Sequence, residues 1–321
     1  MTTYIARRLL QAIPLLLLIS FFAFLLIRLS GDPMSMYGQN RNMSAEDRER
    51  IIRQHGWDKP KVVQYGYWLR DVVKGDWGRS LYTYQPVTEM IWQRLPNTLI
   101  LMGTVFVVTL VIAVPLGIYS ALHQYSIVDY IVTGVAFLAF ALPTFWLGLI
   151  CIMIFAVKFK LWGLPHLPAG GMYDLAEGKN FLGLVRHLIL PTFVLSIVSL
   201  ASYLRYVRAS MLEVMREDYV RTARAKGLGE RRVIGVHAFK NAAIPLVTLI
   251  TMNIPLLFSG ALVTEQVFAW PGMGRLFVDH ATRADYPVLM GLVMAVAALV
   301  IFFNIIADVA YAALDPRIRF R

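Results

Sequence analysis

The sequence predicts an all-α integral membrane protein with six transmembrane helices. Of its 321 residues, 58% are apolar and 16% are charged, whereas soluble domains contain about 45–50% apolar and about 25% charged residues. The mean hydropathy is correspondingly high, at +0.59. An ordinary soluble enzyme is therefore excluded, and the long apolar stretches are best counted as membrane spans.

Six stretches contain no interior acidic residue and are long enough for a helix to cross a hydrocarbon layer of ~30 Å. They are Leu9–Leu29, Thr98–Leu122, Tyr130–Val157, His187–Leu204, Ala242–Thr264 and Tyr286–Ala307. Arg7 and Arg8 precede the first stretch as in a signal peptide, but no small-residue cleavage site follows, so we expect a retained helix. Prolines in or near these stretches predict kinked packing helices rather than hinges; they are Pro14, Pro115, Pro143, Pro191, Pro245 and Pro255.

The distribution of basic residues predicts that both termini lie in the cytoplasm. The connection Arg205–Lys240 contains nine Arg or Lys among 36 residues. With six spans it shares one side with both ends of the chain, which carry Arg7, Arg8, Arg317, Arg319 and Arg321. The positive-inside rule assigns that side to the cytoplasm. The same rule accounts for the net charge of +11 without nucleic acid as a partner.

The segment Ser30–Pro96 is predicted to be an external helical region. Ser44-Ala-Glu-Asp47 is typical of a helix start, Gly56 ends that helix, and a second helix is expected over Lys61–Lys74. The region also contains four of the seven tryptophans, Trp57, Trp68, Trp77 and Trp92. Two interpretations stay open: a cap that docks an outside partner, or a helical hairpin that rests on the bilayer.

On the other side, Ala209–Gly235 is predicted to form a helix–turn–helix. Leu212, Met215, Tyr219 and Ala223 follow spacings of 3, 4 and 4, which place them on one helix face. Gly227 stands where a helix end favours positive φ, and a further amphipathic segment is expected from Gly229 onward. A shorter connection would suffice to join two spans, so this loop indicates a surface for a cytoplasmic partner.

Motifs for chemistry within the chain are missing. The sequence has no phosphate-binding GxxxxGK[ST], no HExxH and no GxSxG. The single cysteine, Cys151, excludes an intramolecular disulfide, and the six histidines are widely scattered. Asp308, near the end of the sixth stretch, is expected to form an interfacial ion pair or helix end rather than a proton relay. We therefore expect no catalytic residue, metal or cofactor in this chain, and transport that is driven from elsewhere.

Several motifs together resemble one family. Glu217–Gly227 followed by Asn241–Pro245 is similar to the EAA-loop region of binding-protein-dependent ABC importer permeases, specifically the B-type subunit of the dipeptide, oligopeptide and nickel branch. The further matches are Gly31-Asp-Pro33, Lys74-Gly-Asp-Trp-Gly-Arg-Ser80, Thr264–Gly274, Asp285-Tyr-Pro287 and Asp315-Pro-Arg317. One departure concerns the Glu-Ala-Ala triplet, which is replaced by Arg221, Thr222 and Ala223. The glutamate role is therefore not carried over to Arg221.

The resemblance implies a heteromeric importer in the cytoplasmic membrane. A second homologous permease would complete the pathway, two ATPase subunits would hold ATP and Mg²⁺, and an extracytoplasmic binding protein would deliver peptide. The implied division is residues 1–29 for the N-terminus and first span, 30–96 for the external region and 97–321 for the permease core. Nickel or another small solute is the alternative cargo. A self-contained secondary transporter, a channel and a membrane-embedded enzyme are more remote, because no repeat, central charge or catalytic constellation supports them.

Three sets of site residues follow. The ATPase-coupling residues are Leu212, Met215, Asp218, Tyr219, Arg221, Ala223, Arg224, Lys226 and Gly227. The residues expected to dock the binding protein are Trp77, Arg79, Trp270 and Arg275. The residues named as candidates to line the pathway are Thr248, Asn253 and Ser259. For most such polar residues, hydrogen bonding to the backbone or between helices is the favoured role.

Overall fold

The computed structural model describes residues 2–29, 45–54, 56, 58–174 and 176–314, and these residues are predominantly helical. Apart from an isolated bridge between Arg79 and Pro86, the described residues contain no β-structure. Predictions that rest on Gly31–Pro33, Ser44, Trp57 and the tail from Asp315 to Arg321 fall outside the described residues.

The helices of the described residues follow one another along the chain. They are α1 (Thr2–Leu29), α2 (Ala45–Gln54), α3 (Lys61–Val73), α4 (Val87–Leu122), α5 (Ile127–Ala141), α6 (Thr144–Leu161), α7 (Phe181–Val214), α8 (Asp218–Ala225), α9 (Glu230–Phe258), α10 (Leu262–Val267), α11 (Met273–Ala281) and α12 (Tyr286–Leu314). Wider π-helical turns interrupt α6 at Ile152–Lys158 and α9 at Val233–Ala238. The two helices predicted between the first and second spans are present as α2 and α3.

Six helices in the described part of the chain are long and apolar enough to cross a membrane, which confirms the predicted number. They comprise Arg7–Leu29, Val87–Leu122, Thr144–Leu161, Phe181–Val214, Glu230–Phe258 and Tyr286–Val309. The fourth helix is 34 residues long and extends beyond the predicted apolar stretch His187–Leu204 at both ends, so it reaches well past Arg205.

The predicted third and fifth spans are wrong in their bounds. Leu142 is extended (φ −85°, ψ 135°), as the residue before a proline tends to be, so Pro143 separates α5 from α6 within Tyr130–Val157. The predicted span Ala242–Thr264 belongs to a helix that starts twelve residues earlier, at Glu230, and ends at Phe258. The amphipathic segment expected after Gly229 is the beginning of α9 and runs directly into the fifth span.

Two compact units make up the fold. The first comprises Met1–Pro96 with Gly272–Arg321, and the second comprises Asn97–Pro271. The predicted three-part division of the chain stays a prediction.

In the first unit, α1 packs against α12 and α3 packs against α1. Arg8 and Asp308 form an ion pair of 3.2 Å at one end of the helix pair, which confirms the interfacial ion pair expected for Asp308. An aromatic cluster joins α3 to α1, and its members are Phe21, Phe24, Tyr65 and Trp68.

In the second unit, α4, α7, α8 and α9 enclose a common apolar cluster. Ala113, Met211, Val220, Val233 and Ala238 are its fully buried members. Gly117 permits the close approach of α4 to α7, since a Cβ there would lie 2.7 Å from Cβ of Val207. This cluster positions the short helix α8 at the end of the long helices.

Candidate functional site

Helix α8 is a separate, short helix set between two long ones. Helix α7 ends at Val214, and the amides of Arg216 and Glu217 donate to the carbonyls of Glu213 and Val214 to form a tight turn. Helix α8 then begins after the extended residue Glu217. The turn redirects the chain, so α8 does not continue the axis of α7.

One face of α8 is anchored inside the protein. Val220 is 0% and Ala223 5% exposed, and both belong to the apolar cluster of the second unit. The remaining surface of the helix is exposed, and its residues are Asp218, Tyr219, Arg221, Thr222, Arg224 and Ala225. An anchored helix with a charged outer face is suited to docking a partner without leaving its place in the fold.

Gly227 ends α8 as the sequence predicts. Its φ is +76°, a left-handed conformation that glycine adopts without strain. The amide of Gly227 donates to the carbonyl of Arg224 and that of Leu228 to the carbonyl of Ala223, which is the Schellman pattern. Leu228 returns to pack on the apolar cluster, so the cap also fixes the direction in which the chain leaves α8.

An ion pair ties α8 to the start of α9. Arg224 donates through Nε and Nη2 to both carboxylate oxygens of Glu230, at 3.2 and 2.7 Å. The hydrogen bond to Glu230 raises the pKa of Arg224 above its ordinary value. The Arg221–Asp218 pair, at 3.4 Å, is highly exposed and contributes little to stability. The bidentate pair therefore orients the end of α8, while Arg221 stays available on its surface.

The predicted arrangement of the apolar coupling residues is wrong. Leu212 lies on α7, Met215 caps that helix, and only Tyr219 and Ala223 lie on α8. Leu212 and Met215 pack against the internal cluster, and Ala223 is buried within it, so these three do not form an external apolar face with Tyr219. The reason is the turn at residues 215–217, which contains neither proline nor glycine and was not apparent from spacing alone.

A buried ion pair lies beside the same cluster, and the sequence analysis missed it. Arg208 on α7 donates through Nε and Nη2 to Asp129 at 3.1 and 3.0 Å. Asp129 also accepts hydrogen bonds from the hydroxyl of Ser120 and the amide of Tyr125. The one available signal was the Ser126–Asp129 spacing, because Ser126 caps α5. Its partner 79 positions away has no signature in a single sequence.

The four predicted docking residues are not equivalent. Trp270 is fully buried in the second unit and its indole N–H donates to the carbonyl of Asn97 at 2.9 Å, so it is unavailable for docking. In the first unit Trp77 is half-buried, and Arg79 is exposed and donates to the carbonyl of Tyr84 at 3.0 Å. Arg275 pairs with Asp279 on α11 at 3.6 Å. Of the four predicted docking residues, Arg79 and Arg275 are the two whose charged groups reach the surface.

Two motifs of the first unit meet at a buried carboxylate. Asp285 is 0% exposed and accepts hydrogen bonds from the hydroxyl of Ser80 at 2.6 Å and the amide of Leu81 at 3.2 Å. Nδ1 of His280 lies 2.9 Å from the same carboxylate. The Lys74–Ser80 motif and the Asp285–Pro287 motif are thus one structural element, in which the carboxylate fastens a loop to the start of α12.

The predicted pathway residues bond to their own helices. Hydrogen bonds run from Thr248 to the carbonyl of Ile244, from Asn253 to that of Leu249 and from Ser259 to that of Leu256. Asn253 is also hydrogen-bonded to the side chain of Tyr203 on α7, so backbone and interhelical hydrogen bonds account for these side chains.

Comparison with known sequences identifies the family. The family described as the binding-protein-dependent transport system inner membrane component matches residues 113–320, and its N-terminal component matches residues 1–102. The chain belongs to this family. This multi-pass membrane protein is therefore a transport permease, and the resemblance inferred from its motifs is confirmed.

Curated relatives match the permease over its whole length. It is 43% identical to an oligopeptide transport system permease protein, AppB, of Bacillus subtilis (strain 168), over 100% of both chains. It is 41% identical to a putative peptide permease protein of Brucella suis and 37% identical to the dipeptide transport system permease protein DppB of Escherichia coli (strain K12), each over 99% of both chains.

Proposed function

We propose that this permease forms half of the pathway of an ATP-driven peptide importer in the cytoplasmic membrane. A second homologous permease completes the pathway, two ATPase subunits supply the energy, and an extracytoplasmic binding protein delivers the cargo. Peptide is chosen as cargo because the relatives are named oligopeptide, dipeptide and peptide permeases. Both termini lie in the cytoplasm in this proposal, as the basic residues indicate.

The observation that carries the proposal is the anchored helix α8. Its buried face holds it on the apolar cluster, and its outer face carries Asp218, Tyr219, Arg221 and Arg224. The chain has no phosphate-binding loop of its own. Energy must therefore arrive as a conformational change of partners, and α8 is the element placed to receive it.

The coupling residues are revised accordingly. Tyr219 and Arg221 contact the ATPase in this proposal, and Arg224, Lys226 and Gly227 orient the helix. Ala223, Leu212 and Met215 support it from within. Asp218, the first residue of α8, adds an exposed carboxylate to the outer face.

Reconstitution of the complete complex tests this role. Replacing Tyr219 and Arg221 together by Ala is expected to lower ATPase co-purification and to abolish ATP-dependent uptake, because both side chains lie on the exposed face of α8. Lys74→Ala, an exposed position in the first unit, is the matched control. Full uptake and full ATPase retention in the double variant would contradict the assignment.

The cargo is tested separately, with labelled dipeptide, labelled pentapeptide and nickel in cells that lack the gene. Peptide uptake is expected to fall in these cells and to return with the intact gene. A defect confined to nickel would overturn the peptide assignment and leave the coupling role unaffected.

Docking of the binding protein is assigned to the charged surface of the first unit. Arg275 lies on α11, where Asp279 holds it at 3.6 Å. In reconstituted complexes Arg275→Glu is expected to raise the binding-protein concentration needed to stimulate hydrolysis, while basal hydrolysis is unchanged. Lys179→Glu, on an exposed loop of the second unit, is the control. An identical concentration dependence in both variants would remove Arg275 from the docking surface.

A further inference from the structure

The first unit contains a cavity that the transport role does not explain. Its volume is about 620 Å³, which is within the usual range for small-molecule sites. It lies between the end of α1, helix α3, the loop of residues 76–81 and the beginning of α12. All of these elements belong to the first unit.

The depth of the cavity follows from the packing of α3 on α1. The hydroxyl of Tyr65 lies 2.8 Å from Oγ of Ser20. Because a helix rises about 1.5 Å per residue, Ser20 is about 13 Å below Leu29 at the end of α1. Helix α3 therefore lies beside the outer part of a membrane span rather than above it. Val62 and Val73 on α3 are 66% and 79% exposed, as expected for side chains that face lipid.

The cavity is consequently at the membrane surface. Phe24, Ile27 and Arg28 at the end of α1 face it, together with Tyr286 and Met290 at the start of α12. Both helices are candidate membrane spans, and this is the level at which headgroup phosphates lie.

The lining of the cavity is aromatic and basic. Among the described lining residues, aromatic side chains such as Trp68 and Trp77 recur, and the basic residues outnumber the acidic Asp71 and Asp76. Arg53 and Arg70 pair with Glu49 and Asp71. Lys59 instead donates to the neutral hydroxyl of Tyr67 at 2.9 Å, and the carboxylate that acts on its charge is that of its exposed chain neighbour Asp58.

We propose that this cavity binds the phosphate-bearing headgroup of an anionic phospholipid. Aromatic side chains are typical of the interfacial layer, and basic side chains at a lipid surface attract anionic lipids electrostatically. Arg28 supplies a cation at the end of a span, and Lys59 supplies a second from the external connection. Bound lipid would thereby join α1 to the external helices.

The test uses the complete complex in detergent, with native mass spectrometry during titration with phosphatidylglycerol. The double variant Arg28→Gln/Lys59→Gln is expected to bind this lipid about thirty-fold more weakly. Each Lys or Arg near a lipid surface contributes a similar free energy of attraction to anionic lipid, and the variant removes two such contributions. Lys74→Gln/Lys179→Gln removes the same charge at exposed positions outside the cavity and is expected to bind normally. The conservative variant Lys59→Arg, with Arg28 unchanged, keeps both positive charges and is expected to bind the lipid as the native complex does.

Further arms identify the source of the phosphate. Phosphatidylcholine is expected to bind less tightly than phosphatidylglycerol, because basic side chains outnumber acidic ones among the described residues of the lining. Inorganic phosphate is expected not to displace the lipid at millimolar concentration.

Equal lipid binding by the double variant and the native complex would overturn the proposal. Displacement of the lipid by free phosphate at millimolar concentration would overturn it as well. The same holds for a double variant that loses binding-protein docking but binds lipid as the native complex does. The single variant Lys59→Gln, at an exposed position, provides the same comparison if the double variant does not assemble.

Discussion

Two glycines on either side of Leu228 differ in the backbone conformation that they adopt. Gly227 has φ +76° and Gly229 has φ −61° with ψ 141°. An added Cβ would meet nothing within 4 Å at either position, so conformation alone distinguishes them. At Gly227 a β-branched residue is strained by about 1–3 kcal/mol, whereas at Gly229 it fits the extended backbone.

Gly227→Val is therefore expected to loosen the end of α8 and to reduce uptake, and Gly229→Val is expected to leave both unchanged. Hydrogen exchange over residues 218–230 of the purified complex measures the first effect, and ATP-dependent uptake measures the second. Equal exchange protection in the two variants would contradict the role assigned to the left-handed cap.

The buried pair Asp129–Arg208 makes a second prediction at this scale. Removing one partner of a buried pair leaves the other charge uncompensated, at a cost of about 3–5 kcal/mol. Asp129→Asn is therefore expected to lower the thermal midpoint of the complex. The cost is expected near the lower end of that range because the side chain of Arg208 is 29% exposed.

The double variant Asp129→Asn/Arg208→Gln is expected to recover much of that loss, since it removes both charges. Thermal unfolding of the purified complexes measures all three proteins. A double variant less stable than either single variant would show that the pair acts through something other than charge compensation.

At the scale of an element, α8 has an anchoring face and an outer face that separate two kinds of damage. Val220→Asp places a charge in the apolar cluster, at a position that is 0% exposed, and is expected to release α8. Arg221→Asp changes only the outer face and is expected to keep α8 in place.

Limited proteolysis distinguishes these outcomes. Cleavage within residues 215–228 is expected to accelerate in Val220→Asp and to stay at the native rate in Arg221→Asp, although both variants lose ATPase contact. Native cleavage rates in Val220→Asp would contradict the anchoring of α8 on the cluster.

At the scale of the whole molecule, the proposed orientation places the first unit's external loop and α8 on opposite sides of the membrane. Cys151 is buried and is first replaced by Ala. A cysteine at Lys74 is then expected to react with an impermeant thiol reagent in intact cells, and a cysteine at Lys226 only after permeabilisation. Both positions are exposed. Labelling of Lys226→Cys from outside would reverse the orientation.

The sequence by itself determined the membrane class, the number of spans and the family, because hydropathy is a local property and the family motifs are contiguous. It also located the turn at Gly227, since glycine relieves a strain that other residues retain at positive φ. The two external helices were predicted on similar local signals.

Only the tertiary structure decided which prolines interrupt a helix. Pro143 separates α5 from α6, whereas Pro14 and Pro191 lie inside helices, because neighbouring groups determine whether the freed carbonyl is satisfied. Tertiary packing likewise buried Trp270 and Ala223 and joined Asp129 to Arg208. Such contacts link positions far apart in the chain, and their energies depend on neighbours that a pattern of spacings does not contain.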